Sequence, residues 1–316
     1  MRVLIVGCGY VGLPLGRLLV QDGHEVFGLR RSTAGHDEMR AAGVQPLTAD
    51  IARPGDLQAL PGPFDWVVNT VASGRGGEDD YRQVYLEGTR HLIQWLLDQG
   101  TGPGSGGRTS SPLRKYIYTS STSVYAQNDG SVVKETGPTE PESPTSKVLV
   151  ETEKLLLEAA RGRNFPAVIL RVAGIYGPGR GHSFQQFLRD EVKIPGKGER
   201  FLNMIHRDDV ALVIRAALKD GRPGEIYNAV DDEPVAQVHF FRWLSETLGK
   251  WMPPFVPEEP EAVRKRGVTN KKVSNRRLRM ELGVRLQYPT FRQGYTAEIT
   301  RLERAGELNF KPAPRD

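Results

Sequence analysis

The stretch Arg2-Val3-Leu4-Ile5-Val6-Gly7-Cys8-Gly9-Tyr10-Val11-Gly12 decides the fold of this chain. Its first five residues predict a short buried strand, and the apolar run after Gly12 predicts a helix. A strand, Gly-x-Gly-x-x-Gly and a helix in this order form a dinucleotide-binding turn. Gly7 permits the tight turn, Gly9 lets the backbone approach a pyrophosphate, and Gly12 lets the helix pack close to the strand. We therefore expect a dinucleotide to contact Gly7, Gly9, Tyr10, Val11 and Gly12.

The bulk composition limits the class of protein. The chain has 316 residues, of which 38% are apolar and 26% charged, and a net charge of +5. This is globular composition, and it excludes disordered and fibrous classes. The single cysteine, Cys8, excludes a disulfide within the chain and favours a reducing, cytoplasmic location. No run of about 20 apolar residues occurs, so we expect no membrane partner.

Basic residues cluster in one region near the C-terminus. Its densest run is Arg264-Lys265-Arg266, followed by Lys271-Lys272 and Arg276-Arg277. Such a run suggests either nucleic acid or a solvated helical face. No aromatic interleaving or recognition motif accompanies it, so we predict the solvated helical face and no nucleic-acid partner. No His, Cys and Asp cluster has metal-ligand spacing, so we expect no metal.

Apolar β-rich runs alternate with helical patterns through the first half of the chain. The runs predict strands at 3–6, 25–29, 44–47, 66–71, 115–119 and 167–172, and helices near 11–21, 37–42, 81–99 and 145–161. This alternation predicts an α/β fold, a doubly wound parallel sheet of the Rossmann kind.

Beyond that alternation the pattern changes to loops rich in glycine and proline. We assign residues 1–172 to a dinucleotide-binding domain and residues 173–316 mostly to a smaller C-terminal substrate lobe, with segments that return to the main sheet. A further strand is predicted over 225–228. Residues 101–111, rich in Gly and Ser, are predicted to form a surface loop.

The end of the second predicted strand indicates which nicotinamide cofactor binds. An acidic residue there hydrogen-bonds the ribose of NAD, whereas an arginine accommodates the 2′-phosphate of NADP. Arg30 and Arg31 stand at this point, and a guanidinium suits a phosphate monoester. The alternative is a pair of exposed loop arginines. The pattern favours NADP, and NAD stays open.

Two further strand ends offer cofactor contacts. Asp50 and Ile51 follow the third predicted strand, where they would contact the adenine side or, alternatively, form a loop turn. Val71 and Ala72 end the fourth, and small residues there let the backbone approach a cofactor. A simple strand-ending turn explains them equally well.

With these motifs in order, the chain resembles the extended short-chain dehydrogenase/reductase superfamily, in its NAD-dependent epimerase/dehydratase branch. The resemblance rests on an ordered series of strings: GCGYVG at 7–12, ADI at 49–51, EGT at 87–89, YTSSTSVY at 118–125, RVAGIYGPG at 171–179, IHRDDVA at 205–211 and IYNAVDDEP at 226–234. It implies the Rossmann fold, a nicotinamide cofactor, and a reaction carried by Ser or Thr, Tyr and Lys. In that family the tyrosine and lysine are spaced Tyr-x-x-x-Lys.

The resemblance also implies which residues carry the reaction. It makes Ser121 the family serine and Lys147 the lysine, which would hydrogen-bond the nicotinamide ribose. The tyrosine is missing, because Ser143 stands four residues before Lys147. A neighbouring ammonium can lower the phenol pKa from about 10, which lets the phenol transfer the substrate proton. An aliphatic alcohol cannot replace it, so the sequence predicts cofactor binding more firmly than catalysis.

Other proton-transfer groups lie in or beside the matched strings. They are Tyr125, Tyr176, His182 and His206. Packing explains Tyr176, a network at the start of a helix explains His206, and Tyr125 would point away from the nicotinamide. His182, in a glycine-rich loop, is the least constrained of the four.

The resemblance places Arg180, Asn203 and Arg207 toward the substrate, where related proteins grip the diphosphate of a sugar nucleotide. Two functions remain open. One is an NAD(P)-dependent oxidoreductase or epimerase/dehydratase-like enzyme for a small or nucleotide-linked carbonyl or alcohol, with an altered proton relay. The other is a non-enzymatic NAD(P)-binding sensor or regulatory protein. Many relatives pair through two helices, which makes a homodimer a further expectation.

Overall fold

The computed structural model describes residues 1–74, 76–99, 113–258 and 269–308. The strands are β1 (Arg2–Val6), β2 (Glu25–Arg30), β3 (Gln45–Thr48), β4 (Trp66–Asn69), β5 (Lys115–Ser121), β6 (Val132–Val133), β7 (Ala167–Val172), β8 (Gly174–Tyr176), β9 (Ile194–Pro195), β10 (Phe201–Leu202), β11 (Met204–His206), β12 (Ile226–Ala229), β13 (Val235–Ala236), β14 (Phe255–Val256) and β15 (Lys272–Val273). The helices are α1 (Gly12–Gln21), α2 (His36–Ala41), α3 (Pro54–Leu57), α4 (Glu78–Tyr81), α5 (Gly88–Asp98), α6 (Pro144–Arg163), α7 (His182–Leu188), α8 (Arg207–Asp220), α9 (Gln237–Leu248), α10 (Arg276–Leu282) and α11 (Phe291–Arg304).

Seven parallel strands form the central sheet, in the order β12-β7-β5-β4-β1-β2-β3. β1 and β7 are apolar almost throughout because helices cover both faces of the sheet. α1 packs against α8, which also packs on α10, whereas α6 packs against α5. The strand order reverses between β1 and β4, the point at which doubly wound sheets bind ligands. The predicted doubly wound parallel sheet is confirmed.

The predicted strands and helices all occur, with ends that differ from the prediction by at most two residues. The exception is the single α-helix predicted over 81–99. A π-helical segment, Arg82–Glu87, separates α4 from α5 there, so the helical register changes partway. Both flanking segments are α-helices with the same apolar period, so the periodicity of the sequence does not predict the π-helical segment between them. The predicted loop over 101–111 lies outside the described residues.

A second buried cluster lies beyond the main sheet. Aromatic side chains dominate it, with Tyr176 stacked on Tyr295 at 4.4 Å between ring centroids. The chain contributes to this cluster both before and after β12, the strand that returns to the main sheet, where Ile226 pairs beside Ile169 of β7. Every helix in the described part of the chain is too short or too polar to cross a bilayer.

The basic region differs from its prediction. Lys271 is buried, and its Nζ donates to the Tyr125 carbonyl oxygen at 2.9 Å and to Thr269 Oγ1 at 2.6 Å. Burial lowers the pKa of Lys271 to about 8. Lys272 lies in β15, which pairs with β6, so the prediction of a solvated helical face is wrong at both lysines. Only residues from Arg276 onward are helical, and 264–266 lie outside the described residues.

Candidate functional site

A cleft of about 650 Å³ opens at the carboxyl ends of the central strands. It is the place that the topology predicts for a ligand, because the strand order reverses there. Its walls come from the residues that end β1, β2, β4, β5 and β7, with contributions from the π-helical segment and α6. They include Gly7, Gly9, Tyr10, Val11, Arg30, Arg31, Asp50, Ile51, Val71, Ala72, Tyr85, Ser121, Leu149 and Arg180.

The glycine turn forms the floor of this cleft. Gly7 has φ of +84°, and its N–H and that of Cys8 both donate to the Leu29 carbonyl at 3.0 Å, which ties the turn to β2. A Cβ at Gly12 would lie 2.8 Å from the Gly7 oxygen, so only glycine fits there. A Cβ at Gly9 would meet only that oxygen, at 3.9 Å, among the described residues. The open space above Gly9 fits the close approach of a pyrophosphate, and the start of α1 would stabilise the charge of that group.

Arg30 and Arg31 have different roles at the end of β2. Arg30 Nε donates to the Cys8 carbonyl at 2.5 Å and Nη1 to the Ala34 carbonyl at 2.9 Å. Its guanidinium therefore braces the glycine turn. Arg31 is exposed and lines the cleft, and its Nη2 lies 3.4 Å from where a Cβ of residue 74 would stand. Arg31 thus reaches across the mouth toward the loop after β4.

The remaining predicted contacts lie where strands β3 and β4 end. Asp50 and Ile51 line the cleft, and Asp50 Oδ1 also accepts from the Ala52 N–H at 3.0 Å. Asp50 therefore both stabilises a loop turn and lines the cleft, so the two interpretations of this residue are compatible. Val71 and Ala72 line the cleft as well, immediately beside the glycine turn.

The family's serine position lines the cleft, whereas its lysine position does not. Ser121 ends β5 and lines the cleft, and its Oγ accepts from the Ser123 N–H at 3.2 Å. Lys147 is exposed on α6 and is not among the cleft residues, whereas Leu149 is. The two differ by two positions, about 200° around a helix. Lys147 therefore does not line the cleft with Ser121, contrary to the expectation from spacing.

Helical spacing identifies what occupies the cleft face of α6 instead. One turn before Leu149 stands Thr145, which is buried. Ser143 precedes the helix as its N-terminal capping residue, and its Oγ lies 3.0 Å from Thr145 Oγ1. A threonine and a leucine therefore occupy the positions four apart on this face.

Two predicted substrate residues meet over Tyr10. The Arg180 guanidinium lies 4.1 Å from the Tyr10 ring centroid and the Arg207 guanidinium 5.2 Å. The Tyr10 hydroxyl is buried without a hydrogen-bond partner among the described residues, and burial raises its pKa to about 12. Both arginines thus place positive charge beside the glycine turn. Arg207 also pairs with Asp208 at 2.8 Å.

The third predicted substrate residue, Asn203, has a different place. Its Nδ2 donates to the Lys271 carbonyl at 2.8 Å, and its Oδ1 accepts from the Val273 N–H at 2.7 Å. The amide therefore ties β11 to the segment before and within β15. Asn203 is not among the residues that line the cleft.

The other proton-transfer candidates have structural partners. Tyr125 donates to Asn228 Oδ1 at 2.7 Å and accepts from Arg171 at 2.8 Å. His206 caps α8, because its Nδ1 accepts from the Asp208 N–H, and burial lowers its pKa to about 4.

Tyr176 and His182 complete that set of candidates. Tyr176 is buried in the second cluster, where it stacks on Tyr295. His182 begins α7 and is exposed. Neither residue lines the cleft.

Tyr85 is a cleft residue that the sequence patterns did not identify. It stands in the π-helical segment, two residues before the EGT string, and its hydroxyl oxygen accepts from the Ser73 N–H at 3.2 Å. The EGT string indicates that this region lies near the cofactor, but it does not predict which of the preceding side chains faces the cleft. Within the described residues, no group of three His, Cys, Asp or Glu could hold a metal.

Comparisons with known proteins show the family of this chain. The model of the NAD dependent epimerase/dehydratase family matches residues 3–229. Protein YeeZ of Escherichia coli (strain K12) is 30% identical over 296 residues, 91% of this chain and 96% of YeeZ.

Solved structures extend the similarity to the fold. A functionally unknown conserved protein from Silicibacter pomeroyi is 30% identical, with a TM-score of 0.73 over 96% of this chain and 99% of that one. DesIV, a dTDP-glucose 4,6-dehydratase from Streptomyces venezuelae solved with NAD, is 21% identical with a TM-score of 0.80 over 96% of this chain and 97% of DesIV.

Proposed function

The chain belongs to the NAD-dependent epimerase/dehydratase family, and from this premise we propose that it is an NAD(P)-dependent oxidoreductase or epimerase/dehydratase-like enzyme. The observation that carries the proposal is the open space above Gly9 at the floor of the cleft. The related DesIV structure, which holds NAD, supports a dinucleotide there. The single cysteine supports a working location in a reducing cytoplasm.

We propose further that the cofactor is NADP and that Arg31 recognises its 2′-phosphate. Arg31 follows β2, and Asp50 and Ile51 follow the neighbouring strand β3, so these cleft residues lie at adjacent strand ends, where we place the adenosine. Arg30 already donates to two backbone carbonyls, so its contribution is to hold the glycine turn. A guanidinium and a phosphate monoester form charge-assisted hydrogen bonds that NAD cannot make.

Arg31→Ala is expected to weaken NADP binding by about 1.5–3 kcal/mol, a tenfold to hundredfold loss, and to leave NAD binding nearly unchanged. Arg30→Ala is the matched control. It should weaken both cofactors alike, because it loosens the turn that both would use. Isothermal titration calorimetry with each cofactor measures the difference. Equal losses of NADP and NAD in Arg31→Ala would exclude this role.

The substrate class follows from the charge beside the turn and from the relatives. Arg180 and Arg207 converge on Tyr10, where they would attract an anionic substrate such as a nucleotide-linked sugar. A bound nicotinamide supplies hydride, so the reacting group is a carbonyl or an alcohol. Ser121, at the end of β5, would donate its hydroxyl proton in a hydrogen bond to the reacting oxygen.

Ser121→Ala should lower hydride transfer about 10²-fold, because one donor to the charge-bearing oxygen is lost. Lys147→Ala should change neither turnover nor cofactor affinity by more than about twofold, because the side chain is exposed away from the cleft. Initial rates over a panel of carbonyl and sugar-nucleotide substrates, with calorimetry for the cofactor, measure both variants. A Lys147→Ala protein that loses cofactor binding would contradict this placement.

A second candidate function is favoured by the cleft face of α6. Leu149 lines the cleft, Thr145 is buried one turn before it on the same side of the helix, and neither can act as an acid or base. This arrangement suits a non-enzymatic protein that binds NAD(P) as a sensor or regulatory partner. The substrate panel separates the two functions. Turnover of any member supports the enzyme, whereas tight cofactor binding with no turnover supports the sensor.

A further inference from the structure

The cleft contains a phenol that does not come from α6. Among the described residues that line it, the tyrosines are Tyr10 and Tyr85. Tyr10 is unsuited to proton transfer, because its hydroxyl is buried without a hydrogen-bond partner among the described residues and two guanidiniums cover its ring. Tyr85 combines a place in the cleft wall with a fixed hydroxyl.

The π-helical segment sets the direction of Tyr85. The wider π-helical turn lies between α4 and α5 and changes the direction of the side chains along the helix. Such π-helical segments inside α-helices recur at functional sites. Its neighbour Tyr81 lies with its ring 4.8 Å away between centroids, but Tyr81 is not a cleft residue. The change of helical register thus directs one of two adjacent phenols to the cleft.

Tyr85 approaches the cleft from the same side of the sheet as α6. The π-helical segment packs against α6, and both Tyr85 and Leu149 line the cleft. Its oxygen lies 3.2 Å from the backbone nitrogen of Ser73, which follows β4. The next strand is β5, whose end carries Ser121. Tyr85 and Ser121 therefore line the same cleft, where both would approach the reacting oxygen of a bound substrate.

We propose that Tyr85 is the group that exchanges a proton with the substrate, an inference that rests on the enzymatic function proposed above. In the reducing direction the carbonyl carbon accepts hydride from the reduced dinucleotide, and the carbonyl oxygen takes the proton of Tyr85. The products are the alcohol, the oxidised dinucleotide and a phenolate. The Ser73 N–H remains bonded to the phenolate, and water returns the proton.

Tyr85→Phe tests the proposal, because it keeps the ring that packs on Tyr81 and removes the hydroxyl. We expect hydride transfer over the substrate panel to fall about 10²–10⁴-fold, with cofactor affinity within about twofold of wild type. Tyr81→Phe is the matched control, because it removes a phenol at the end of α4, four residues before Tyr85, that does not line the cleft. Its rates should stay at the wild-type level.

A second measurement needs no substrate. Ultraviolet difference titration follows phenol ionisation with oxidised or reduced cofactor bound. The positive charge of the oxidised nicotinamide should favour the phenolate of Tyr85. The phenolate signal should therefore appear at lower pH with the oxidised cofactor than with the reduced one. Tyr85→Phe should remove this difference, and Tyr81→Phe should keep it.

The outcomes separate the two proposals. Loss of turnover and of the titration difference in Tyr85→Phe alone supports the role of Tyr85. If wild type binds cofactor but Tyr85→Phe retains its turnover or its titration difference, the role is overturned and the proposed function stands. If wild type binds cofactor without turnover and without a titration difference, the sensor function replaces the enzyme and Tyr85 has no such role. If wild type binds no dinucleotide, both proposals fail.

Discussion

Replacing Gly9 with valine is expected to abolish measurable dinucleotide binding in a protein that still folds. A Cβ at Gly9 would meet only the Gly7 oxygen, at 3.9 Å, among the described residues, so the protein has room for the side chain. The valine side chain would occupy the part of the cleft where the glycine turn approaches the pyrophosphate. We expect affinity to fall at least about a hundredfold, or ~2.7 kcal/mol, by isothermal titration calorimetry.

Gly12→Ala provides the matched control from the same turn. A Cβ at Gly12 would lie 2.8 Å from the Gly7 oxygen and 2.9 Å from Ile5 Cγ2, so it meets protein instead of cleft. This variant should lose about 1–3 kcal/mol of stability through overpacking. The Gly9 variant should melt near the wild-type temperature. Wild-type affinity in a folded Gly9→Val protein would remove the glycine turn from the cofactor site.

Glu153→Ala is expected to lower the free energy of unfolding by about 3–5 kcal/mol, because it leaves a buried guanidinium unpaired. Arg171 and Glu153 are 5% and 3% exposed, and Arg171 Nη2 lies 2.7 Å from Glu153 Oε2. Ser120 Oγ also donates to Glu153, at 2.5 Å, so the carboxylate joins α6 to both β5 and β7. Urea unfolding followed by circular dichroism measures the loss.

Glu151→Ala, two positions earlier on the same helix, is the control for that experiment. Glu151 pairs with Arg82 at 2.8 Å, but both side chains are more than two-fifths exposed. An exposed pair contributes about 0–1 kcal/mol, so this variant should be close to wild type. Similar losses in the two variants would show that burial does not distinguish the pairs.

The sequence predicts the parts of this molecule that local chemistry determines. Residues 2–21 form a strand, a glycine turn and a helix. Apolar spacing predicts the strand and the helix, and the three glycines predict the tight turn between them. The alternation of strands and helices likewise predicts the parallel sheet, because each pattern has its own period. These features depend on neighbours in the chain, which a sequence displays directly.

It is harder to predict which face of a helix points toward the cleft, and this orientation determines which residues form the candidate site. Tyr-x-x-x-Lys spacing led from Lys147 back to Ser143, but α6 turns Leu149 to the cleft and leaves Lys147 exposed. A helix keeps its period wherever it starts, so spacing alone cannot say which residue faces the ligand. The π-helical segment adds the same difficulty at Tyr85, because the register changes within it.

The hydrogen-bond partners of charged side chains are a second feature that the sequence does not predict. Arg30 and Arg31 are adjacent and chemically identical, yet backbone carbonyls at Cys8 and Ala34 engage only Arg30. Lys271 belongs to a basic run but is buried against the Tyr125 carbonyl, from a distant part of the chain. Such partners meet only after folding, so a pattern of charges cannot assign them.

The return of β12 to the central sheet determines how the protein can be divided. A fragment ending at residue 172 would contain the glycine turn, but the outer edge of β7, which β12 pairs along Ile169–Val172, would be uncovered. A buried and mostly apolar strand with open backbone groups at its edge is a template for aggregation. An excised nucleotide-binding half would therefore precipitate or assemble edge to edge, and a usable shorter version must extend past Ala229.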